Sequence, residues 1–412
     1  MVGPVRACRA CGGSMTVTMA DLGMQPASNA FLASIEEAAQ EKRFPLRAKV
    51  CDACRLVQID YDVAPQELFG NYVYFSSYSD EWLLHAQRYC EMARKRFDLS
   101  ADSLVVELAS NDGYLLKNFM QMGIPVLGID PSDTVAAAAE RIGVPTLVEF
   151  FGTDLADKLA EKRQADLIIG NNVLAHVPLL NDFIAGISRL LKPTGHVTIE
   201  FPHLLELIEH VEFDTIYHEH FSYFSLYALE QVFKRHDLRI YDVETLSTHG
   251  GSLRIFAAHS QRTDIGESSA LLEVRAREKV AGLAELSTYQ KFAHRVDECR
   301  ASLLNFLAGA KRDAKSVAAY GAAAKGNTLL NFCQVTPADV TMVADRNPNK
   351  QAKLLPGTHI PVVSPQALMQ MKPDYVLILP WNLQSEIRQQ LHGIAEWGGR
   401  FVTPVPVTRV DP

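Results

Sequence analysis

Between residues 103 and 202, short apolar runs alternate with longer stretches in which apolar residues recur every three or four positions. The apolar runs predict buried strands, and the recurring pattern predicts amphipathic helices between them. Strands that alternate with helices of about 10–15 residues indicate βαβ units, and therefore an α/β fold with a parallel, doubly wound sheet. The predicted strands are SLVVELA (103–109), PVLGIDP (125–131), PTLVEFF (145–151), ADLIIGNN (165–172) and GHVTIEFP (195–202).

Two more apolar runs, LRIYDVETL and GSLRIFAAH, flank a turn at STHGG and predict an antiparallel hairpin at the sheet edge. The first strand runs into the turn of VVELASNDGYLL, which is suited to holding a cofactor against backbone amides. This turn is not G-x-G-x-x-G, because Ala109 and Asn111 stand where glycines are usual. Dinucleotide binding is therefore disfavoured, and a hairpin after five parallel strands indicates the class I sheet of S-adenosylmethionine (SAM) methyltransferases.

The rest of the pattern divides the chain into four predicted units. The first is broken by Gly, Pro and cysteine pairs, and the last repeats a smaller strand–helix alternation. They are an N-terminal zinc-binding lobe (1–70), a SAM-binding domain (71–262), a helical connector (263–312, helical from about 269) and a Rossmann-like α/β domain (313–412).

Composition narrows the class of protein. The chain has 412 residues and a formal net charge of −8, which argues against a general nucleic-acid binder. No apolar run reaches the roughly 18 residues of a membrane span, and the first residues show no apolar core of a secretory signal. We therefore expect a cytoplasmic protein without a membrane or nucleic-acid partner.

Four of the seven cysteines form two C-x2-C pairs separated by 39 residues. Two such knuckles together supply the four thiolates of a tetrahedral zinc site. Four protein ligands leave no open position for water, so the predicted Zn²⁺ is structural and helps a small lobe to fold. The predicted ligands are Cys8, Cys11, Cys51 and Cys54.

Four motifs in register along nearly the whole chain identify a family: the cysteine knuckles, ELASNDGYLL, YHEHFSYFS and GAAAKGNTLLN. Together they resemble the sugar C-methyltransferases, which methylate a nucleotide-linked 4-keto-deoxysugar at C3. In that family a zinc lobe, a SAM domain and a C-terminal Rossmann-like domain enclose the sugar nucleotide. The resemblance implies that Asp130 binds the ribose of SAM, that Phe150 flanks the adenine and that Asn172 lies beside the methionine end. It also implies that the loop after the first strand contacts SAM through Glu107, Ser110, Asn111 and Gly113.

The segment DTIYHEHFSYFS follows the fifth strand and, with His176, matches the catalytic cluster of that family. C-methylation requires a base for the C3 proton and donors for charge that develops on the C4 oxygen. We expect His220 to be the base, Glu219 to orient it or act as a polar partner, and Tyr217 and His176 to face the oxyanion. Exchanging the roles of His220 and His176 is the first alternative, and His218 is not expected to take part.

Three further stretches are candidates for ligand contacts. In YGAAAKGNT, Lys325 and the amides at the helix start could hold a diphosphate, or the stretch could be a plain strand-to-helix turn. Asn382, with its neighbour Trp381, could line the same pocket. STHGGSLR could place His249 or Arg254 near the substrate, and NYVYFSSYS (71–79) could close the mouth of the site.

The expected function is thus SAM-dependent methylation at C3 of a dTDP- or GDP-linked 4-keto-deoxysugar through an enolate, by a monomer or weak homodimer. One alternative is an O- or N-methyltransferase acting on a sugar or small metabolite. An alternative of another class is a zinc-containing binding or scaffold protein that keeps a vestigial SAM fold.

Overall fold

The computed structural model describes residues 2–64, 77 and 80–411. Apart from Ser77, the stretch NYVYFSSYS lies outside the described residues, so its predicted place at the mouth of the site stays a prediction. No helix among the described residues is both long enough and apolar enough to cross a membrane.

The N-terminal lobe is a small antiparallel sheet whose strands lead into and out of the cysteine turns. β2, β3 and β4 pair in that order, and β1 pairs with β5. The second cysteine turn lies between β3 and β4, so these two strands fix its position. The elements are β1 (Gly3–Pro4), β2 (Val17–Gln25), α1 (Ile35–Ala38), β3 (Phe44–Val50), β4 (Val57–Ile59) and β5 (Tyr61–Asp62).

The central unit is the predicted doubly wound sheet. Its elements are α2 (Asp80–Arg96), β6 (Val105–Leu108), α3 (Leu116–Gln121), β7 (Val126–Ile129), α4 (Asp133–Arg141), β8 (Thr146–Leu147), α5 (Thr153–Ala160), β9 (Ala165–Asn171), α6 (Leu180–Leu190), β10 (Leu191–Pro202), α7 (Leu204–His210), β11 (Ser222–Tyr223), α8 (Leu226–Lys234), β12 (Leu238–Leu246) and β13 (Ser252–His259).

The strand order of this sheet is β12-β13-β10-β9-β6-β7-β8. β6 to β10 pair in parallel, whereas β13 runs antiparallel to both of its neighbours. The second strand of the predicted hairpin therefore inserts beside β10, and the first forms the sheet edge. This order confirms the class I methyltransferase sheet, and it brings the carboxyl ends of β6, β7, β9 and β10 to one side.

The predicted helical stretch of the connector is two helices, α9 (Ser269–Val280) and α10 (Leu286–Arg312). Gly282 lies between them at φ +75, a backbone conformation that glycine adopts without strain. Tyr289 and Phe292 of α10 are buried in one core with β2 of the N-terminal lobe. The connector thus packs the zinc lobe as well as linking two sheets.

The C-terminal unit has the strand order β16-β15-β14-β17-β18-β19, parallel except for the last pair, as predicted for a smaller Rossmann-like domain. Its elements are β14 (Val317–Tyr320), α11 (Ala324–Phe332), β15 (Val343–Ala344), β16 (Val362–Val363), α12 (Pro365–Met371), β17 (Tyr375–Ile378), α13 (Gln384–Gln390), β18 (Arg400–Thr403) and β19 (Arg409–Val410).

Short 3₁₀ helices follow several strands and carry many of the site residues described below. They are Leu174–His176, Phe213–Thr215, Thr248–Gly250, Trp381–Leu383 and, away from the site, His392–Trp397.

Candidate active site and cofactor site

His220 and Tyr217 form the centre of the candidate active site. Nδ1 of His220 lies 3.0 Å from the carbonyl oxygen of Thr215 and donates to it. This contact places the proton on Nδ1, so Nε2 is the acceptor for the Tyr217 hydroxyl, 2.7 Å away. Burial, followed by the neighbouring His176, lowers the pKa of His220 well below its ordinary value. The ring is therefore neutral at pH 7 and has its basic nitrogen next to a hydroxyl donor.

His176 approaches this pair from the 3₁₀ helix after β9. Its ring centroid lies 4.7 Å from that of His220, edge to face. Burial lowers the pKa of His176 to about 4, so it too is neutral. Its Nδ1 is buried and has no hydrogen-bond partner among the described residues. A buried polar atom of this kind requires a partner, and a ligand oxygen could supply one.

Glu219 and His218 point away from His220. The Glu219 carboxylate accepts a 2.8 Å hydrogen bond from Asn29 of the N-terminal lobe. Burial raises the pKa of Glu219 to about 7, while Asn29 and Lys350 favour its charged form. The orienting contact of His220 is thus the Thr215 carbonyl, and Glu219 is the polar partner of two other units. His218 is fully buried and faces the Pro45 carbonyl at 3.2 Å, and its absence from catalysis stays a prediction.

Around the first βα turn, Asp130 at the end of β7 is held by two backbone amides. Its carboxylate oxygens accept from the N–H groups of Asn111 and Ser132, both at 2.9 Å. Burial, and then the charges of Asp130 and Asp112, raise the pKa of Glu107 well above its ordinary value. The structure thus brings together the predicted SAM-loop residues. Two of their buried side-chain oxygens have no partner within the described chain: Glu107 Oε2 and Ser110 Oγ.

Gly113 fits this turn for a specific reason. Its φ is +76, and a Cβ atom there would lie 3.0 Å from Val144. Phe150, the predicted neighbour of the adenine, is 77% exposed just beyond β8. Its ring is therefore available to a ligand, and its contact with adenine stays a prediction.

Lys325 contacts the other predicted substrate residue, and its contact with a diphosphate stays a prediction. Its Nζ donates to Asn382 Oδ1 at 2.8 Å and lies 4.3 Å from the ring centroid of Trp381. Trp381 in turn donates to Asp214 Oδ2 at 2.8 Å. The predicted substrate residues Lys325 and Asn382 therefore meet, and they lie beside the segment that carries the histidines. The amide of Ala322, in the turn before the helix, is already bound to Asp345.

Glu212 and Asp214 were missed by the sequence reasoning. Both are buried, and burial raises the pKa of Glu212 to about 8 and that of Asp214 to about 6. The charge of Lys325 opposes the shift at both residues. Their signal in the sequence is position, because EFDT is separated from YHEH by Ile216 alone.

Arg254, a weak candidate for substrate contact, has a structural role. It is buried on β13 and donates at 2.6 Å to Glu200 and to Glu244. Glu200 also contacts His85 of α2 at 2.8 Å. This buried network ties α2 to the end of β10 and leaves His249 as the remaining candidate in that motif.

The four predicted zinc ligands converge. Their sulfur atoms all lie within 4.8 Å of one another. Cys8 Sγ is 3.5 Å from Cys54 Sγ, and Cys11 Sγ is 3.3 Å from Cys51 Sγ. Sulfur atoms around a tetrahedral Zn²⁺ with bonds of about 2.3 Å are about 3.8 Å apart, so the donor set fits this ion. The amides of Gly13 and Cys54 also point at ligand sulfurs, at 3.4 Å each.

Three family models match successive parts of the chain. Residues 8–69 match a model described as "Putative zinc binding domain", residues 82–243 a "Methyltransferase domain", and residues 247–406 a "C-methyltransferase C-terminal domain". The chain is also 37% identical over 411 residues to C-methyltransferase NovU of Streptomyces niveus, which covers 100% of this chain and 98% of that protein. The chain belongs to this C-methyltransferase family.

More distant similarities concern parts of the chain. A ubiquinone biosynthesis O-methyltransferase of Rhodopseudomonas palustris is 26% identical over 117 residues, which are 26% of this chain and 46% of that protein. The solved structure of the PH0226 protein from Pyrococcus horikoshii covers 48% of this chain and 96% of its own, with 19% identity and a TM-score of 0.38.

Family membership confirms three predictions: the resemblance, the enzyme class (a SAM-dependent methyltransferase), and the two cofactors, SAM and Zn²⁺. The scaffold alternative is thereby excluded. The full-length match to a C-methyltransferase also favours carbon over oxygen or nitrogen as the methyl acceptor.

Proposed function

We propose that this enzyme methylates C3 of a nucleotide-linked 4-keto-deoxysugar, with His220 as the base. The observation that carries the proposal is the pair formed by His220 and Tyr217. A neutral imidazole, fixed by the Thr215 carbonyl, presents its basic Nε2 next to a tyrosine hydroxyl 2.7 Å away. Enolisation of a ketone needs such a base beside such a donor.

Each residue then has a chemical task. The C3 proton is acidic because C3 is adjacent to the C4 ketone, and Nε2 of His220 accepts that proton. On substrate binding the Tyr217 hydroxyl turns from Nε2 to the C4 oxygen, which frees the Nε2 lone pair for the C3 proton. Tyr217 and His176, the latter with its proton on the unpartnered Nδ1, then donate to the negative charge that develops on the C4 oxygen. SAM supplies the methyl group when bound. The new bond forms between C3 and the methyl carbon, and the bond from that carbon to sulfur breaks.

The substrate side is proposed to lie between the histidine segment and the C-terminal unit. Lys325, Asn382 and Trp381 contact one another there, and Trp381 reaches Asp214. A cation with amide and indole neighbours suits a sugar nucleotide linked to dTDP or GDP. We place the reaction in the cytoplasm, in a monomer or weak homodimer. The convergence of four cysteine sulfurs into one metal donor set, rather than into disulfides, agrees with a reducing compartment.

Hydrogen exchange at C3 tests the base. Wild-type enzyme, His220→Asn and His176→Asn are incubated in D₂O with dTDP- and GDP-linked 4-keto-deoxysugars in the absence of SAM. We expect His220→Asn to lose exchange by at least about 100-fold, since general base catalysis contributes 10²–10⁴-fold. His176→Asn should lose less, because it removes a donor and leaves the base.

His294→Asn is the matched control, because His294 is an exposed histidine on α10. Full C3 hydrogen exchange in His220→Asn, together with its loss in His176→Asn, would mean that His176 is the base and that His220 faces the oxyanion. If wild-type enzyme shows no C3 exchange with any sugar but, once SAM is added, produces S-adenosylhomocysteine (SAH) and a methylated product, the O- or N-methyltransferase alternative gains support.

A further inference from the structure

His249 is a third histidine near the candidate site, and the mechanism above does not use it. It lies in the 3₁₀ helix between β12 and β13, with φ +56, in the left-handed region. The next two residues, Gly250 and Gly251, have φ +98 and +132. A Cβ on Gly250 would lie 2.5 Å from Glu212 Oε1, and one on Gly251 would lie 2.6 Å from Glu206. The turn is therefore pressed against its neighbours, and its conformation is closely determined.

Hydrogen bonds hold the same turn from the other side. The Thr248 hydroxyl donates to Glu200 at 3.0 Å, and Glu200 belongs to the buried network with His85 and Arg254. The ring of Trp82 stands edge-on to that of His249, with centroids 5.6 Å apart. So many contacts for one exposed residue indicate a side chain that must be placed accurately.

One nitrogen of the His249 ring is hydrogen-bonded to a residue on the predicted cofactor side. Nδ2 of Asn172 lies 3.2 Å from Nε2 of His249 and donates to it. Asn172 follows β9 at the carboxyl edge of the sheet, and its own Oδ1 is buried without a partner among the described residues. The methionine end of SAM carries an ammonium group, which is a suitable donor for that oxygen.

The other ring nitrogen is available. Because Nε2 accepts from Asn172, the proton is on Nδ1, which makes no hydrogen bond within the described chain. The surrounding protein, and then Lys325, lower the pKa of His249 to about 4. The residue is nevertheless solvent-exposed, so its ring is accessible to a ligand. A Cβ on the next residue, Gly250, would lie 2.7 Å from Trp381, so this turn stands beside the proposed substrate side.

We propose that His249 links the two ligands: Asn172 holds its Nε2 from the cofactor side, and its Nδ1–H donates a hydrogen bond to an oxygen of the sugar substrate. This inference rests on the proposed function and adds a substrate contact to it. It explains why an exposed histidine is held in a left-handed turn by two glycines and a buried ion network. It also predicts that the two ring nitrogens affect different ligands.

Two substitutions separate the nitrogens. The amide oxygen of His249→Gln can replace Nε2 as the acceptor for Asn172, but it leaves no donor at Nδ1. The amide nitrogen of His249→Asn can replace the Nδ1 donor but does not reach Asn172, and Asn tolerates a left-handed φ. His249→Ala removes both groups. His294→Gln, on the exposed face of α10, is the control.

SAH binding is measured by calorimetry without sugar, and kcat/KM for the sugar is measured at saturating SAM. We expect His249→Asn to weaken SAH binding about tenfold and to keep kcat/KM within a few fold of wild type. We expect His249→Gln to retain SAH binding and to lose kcat/KM about tenfold or more, as for removal of one partner of a hydrogen bond. Thermal unfolding of each variant checks the fold.

Equal effects of the Asn and Gln variants on both quantities would overturn the proposal, because a purely structural histidine would not separate them. Unchanged kcat/KM in His249→Ala would overturn the substrate contact. If wild-type enzyme methylates no 4-keto sugar, the proposed function fails and the substrate contact fails with it. SAH binding by His249→Asn then supports or overturns the Asn172 link by itself.

Discussion

At the scale of single residues, the candidate site contains carboxylates that are buried from solvent. Glu212 is 3% exposed, and the charge of Lys325 favours the ionised form of its carboxylate. The desolvation of a carboxylate in such a place outweighs the attraction of one cation. The result is a glutamate that takes up a proton when the chain folds.

Glu212→Gln should show this proton in the pH dependence of stability. The pKa of Glu212 is about 8 in the folded protein and about 4.3 in an unfolded chain. Stability is therefore lost as pH rises through this window, and Gln lacks that loss. We expect the free energy of unfolding of the variant, relative to wild type, to increase from pH 5 to pH 8 by an amount on the order of 1–3 kcal/mol, as measured by chemical denaturation at both pH values.

Glu273→Gln is the control, because Glu273 is exposed on α9. Its difference from wild type should be the same at both pH values. A flat difference for Glu212→Gln as well would mean that this carboxylate is ionised in the folded protein at pH 7.

At the scale of elements, the turn from β14 to α11 positions Lys325. Gly321 begins this turn at φ +90, and a Cβ there would lie 2.4 Å from Pro380 Cδ. Its amide donates to the Ala344 carbonyl at 2.7 Å, so the backbone has little freedom to move away. The close approach of Gly321 to Pro380 is what brings the start of α11 near Asn382.

Gly321→Ala should therefore destabilise the protein by about 2–4 kcal/mol, through a left-handed φ and a steric clash. Chemical denaturation, followed by tryptophan fluorescence, measures this change. Gly266→Ala is the matched control, since no heavy atom lies within 4 Å of its added Cβ and its φ is ordinary. Equal stability of the two variants would show that the turn relaxes without cost.

Much of the fold could be predicted because its elements are local. The five strands, the hairpin and the C-terminal alternation follow from periodicity and turns. The break between two helices at Gly282 could not be predicted, since one glycine in a polar helical stretch is a weak signal. The two-residue strand β11 could not either, because its pairing with β4 depends on a partner more than 150 positions earlier.

The site divides in the same way. The family resemblance pointed to His176, Tyr217 and His220, and the structure brings these three side chains together. The contacts of Glu219 with Asn29, and of Trp381 with Asp214, join units that are far apart in the chain. Such contacts depend on how the units pack, which residue patterns do not encode locally.

At the scale of the whole molecule, the zinc lobe and the catalytic segment share one sheet. β4 begins shortly after Cys54, and β11, which begins two residues after His220, pairs with it. The amide of Ile59 donates to the Phe221 carbonyl at 3.2 Å, and the amide of Phe221 donates to Ala175, next to His176, at 2.7 Å. A continuous chain of backbone contacts thus runs from the zinc knuckle to the two histidines of the candidate active site, His176 and His220.

Removing zinc should therefore disturb catalysis more than cofactor binding. Zinc supplies folding energy to its lobe, whereas the SAM loop belongs to the central sheet. We expect about one equivalent of zinc in purified protein, and after chelation or in Cys11→Ser a loss of turnover and C3 exchange of about tenfold or more. SAH affinity, measured by calorimetry, should change by no more than about threefold. Restoration of activity by Zn²⁺ but not by Mg²⁺ is the control for chelation. Full C3 hydrogen exchange in zinc-free protein would show that β11 positions the histidines without the bound zinc.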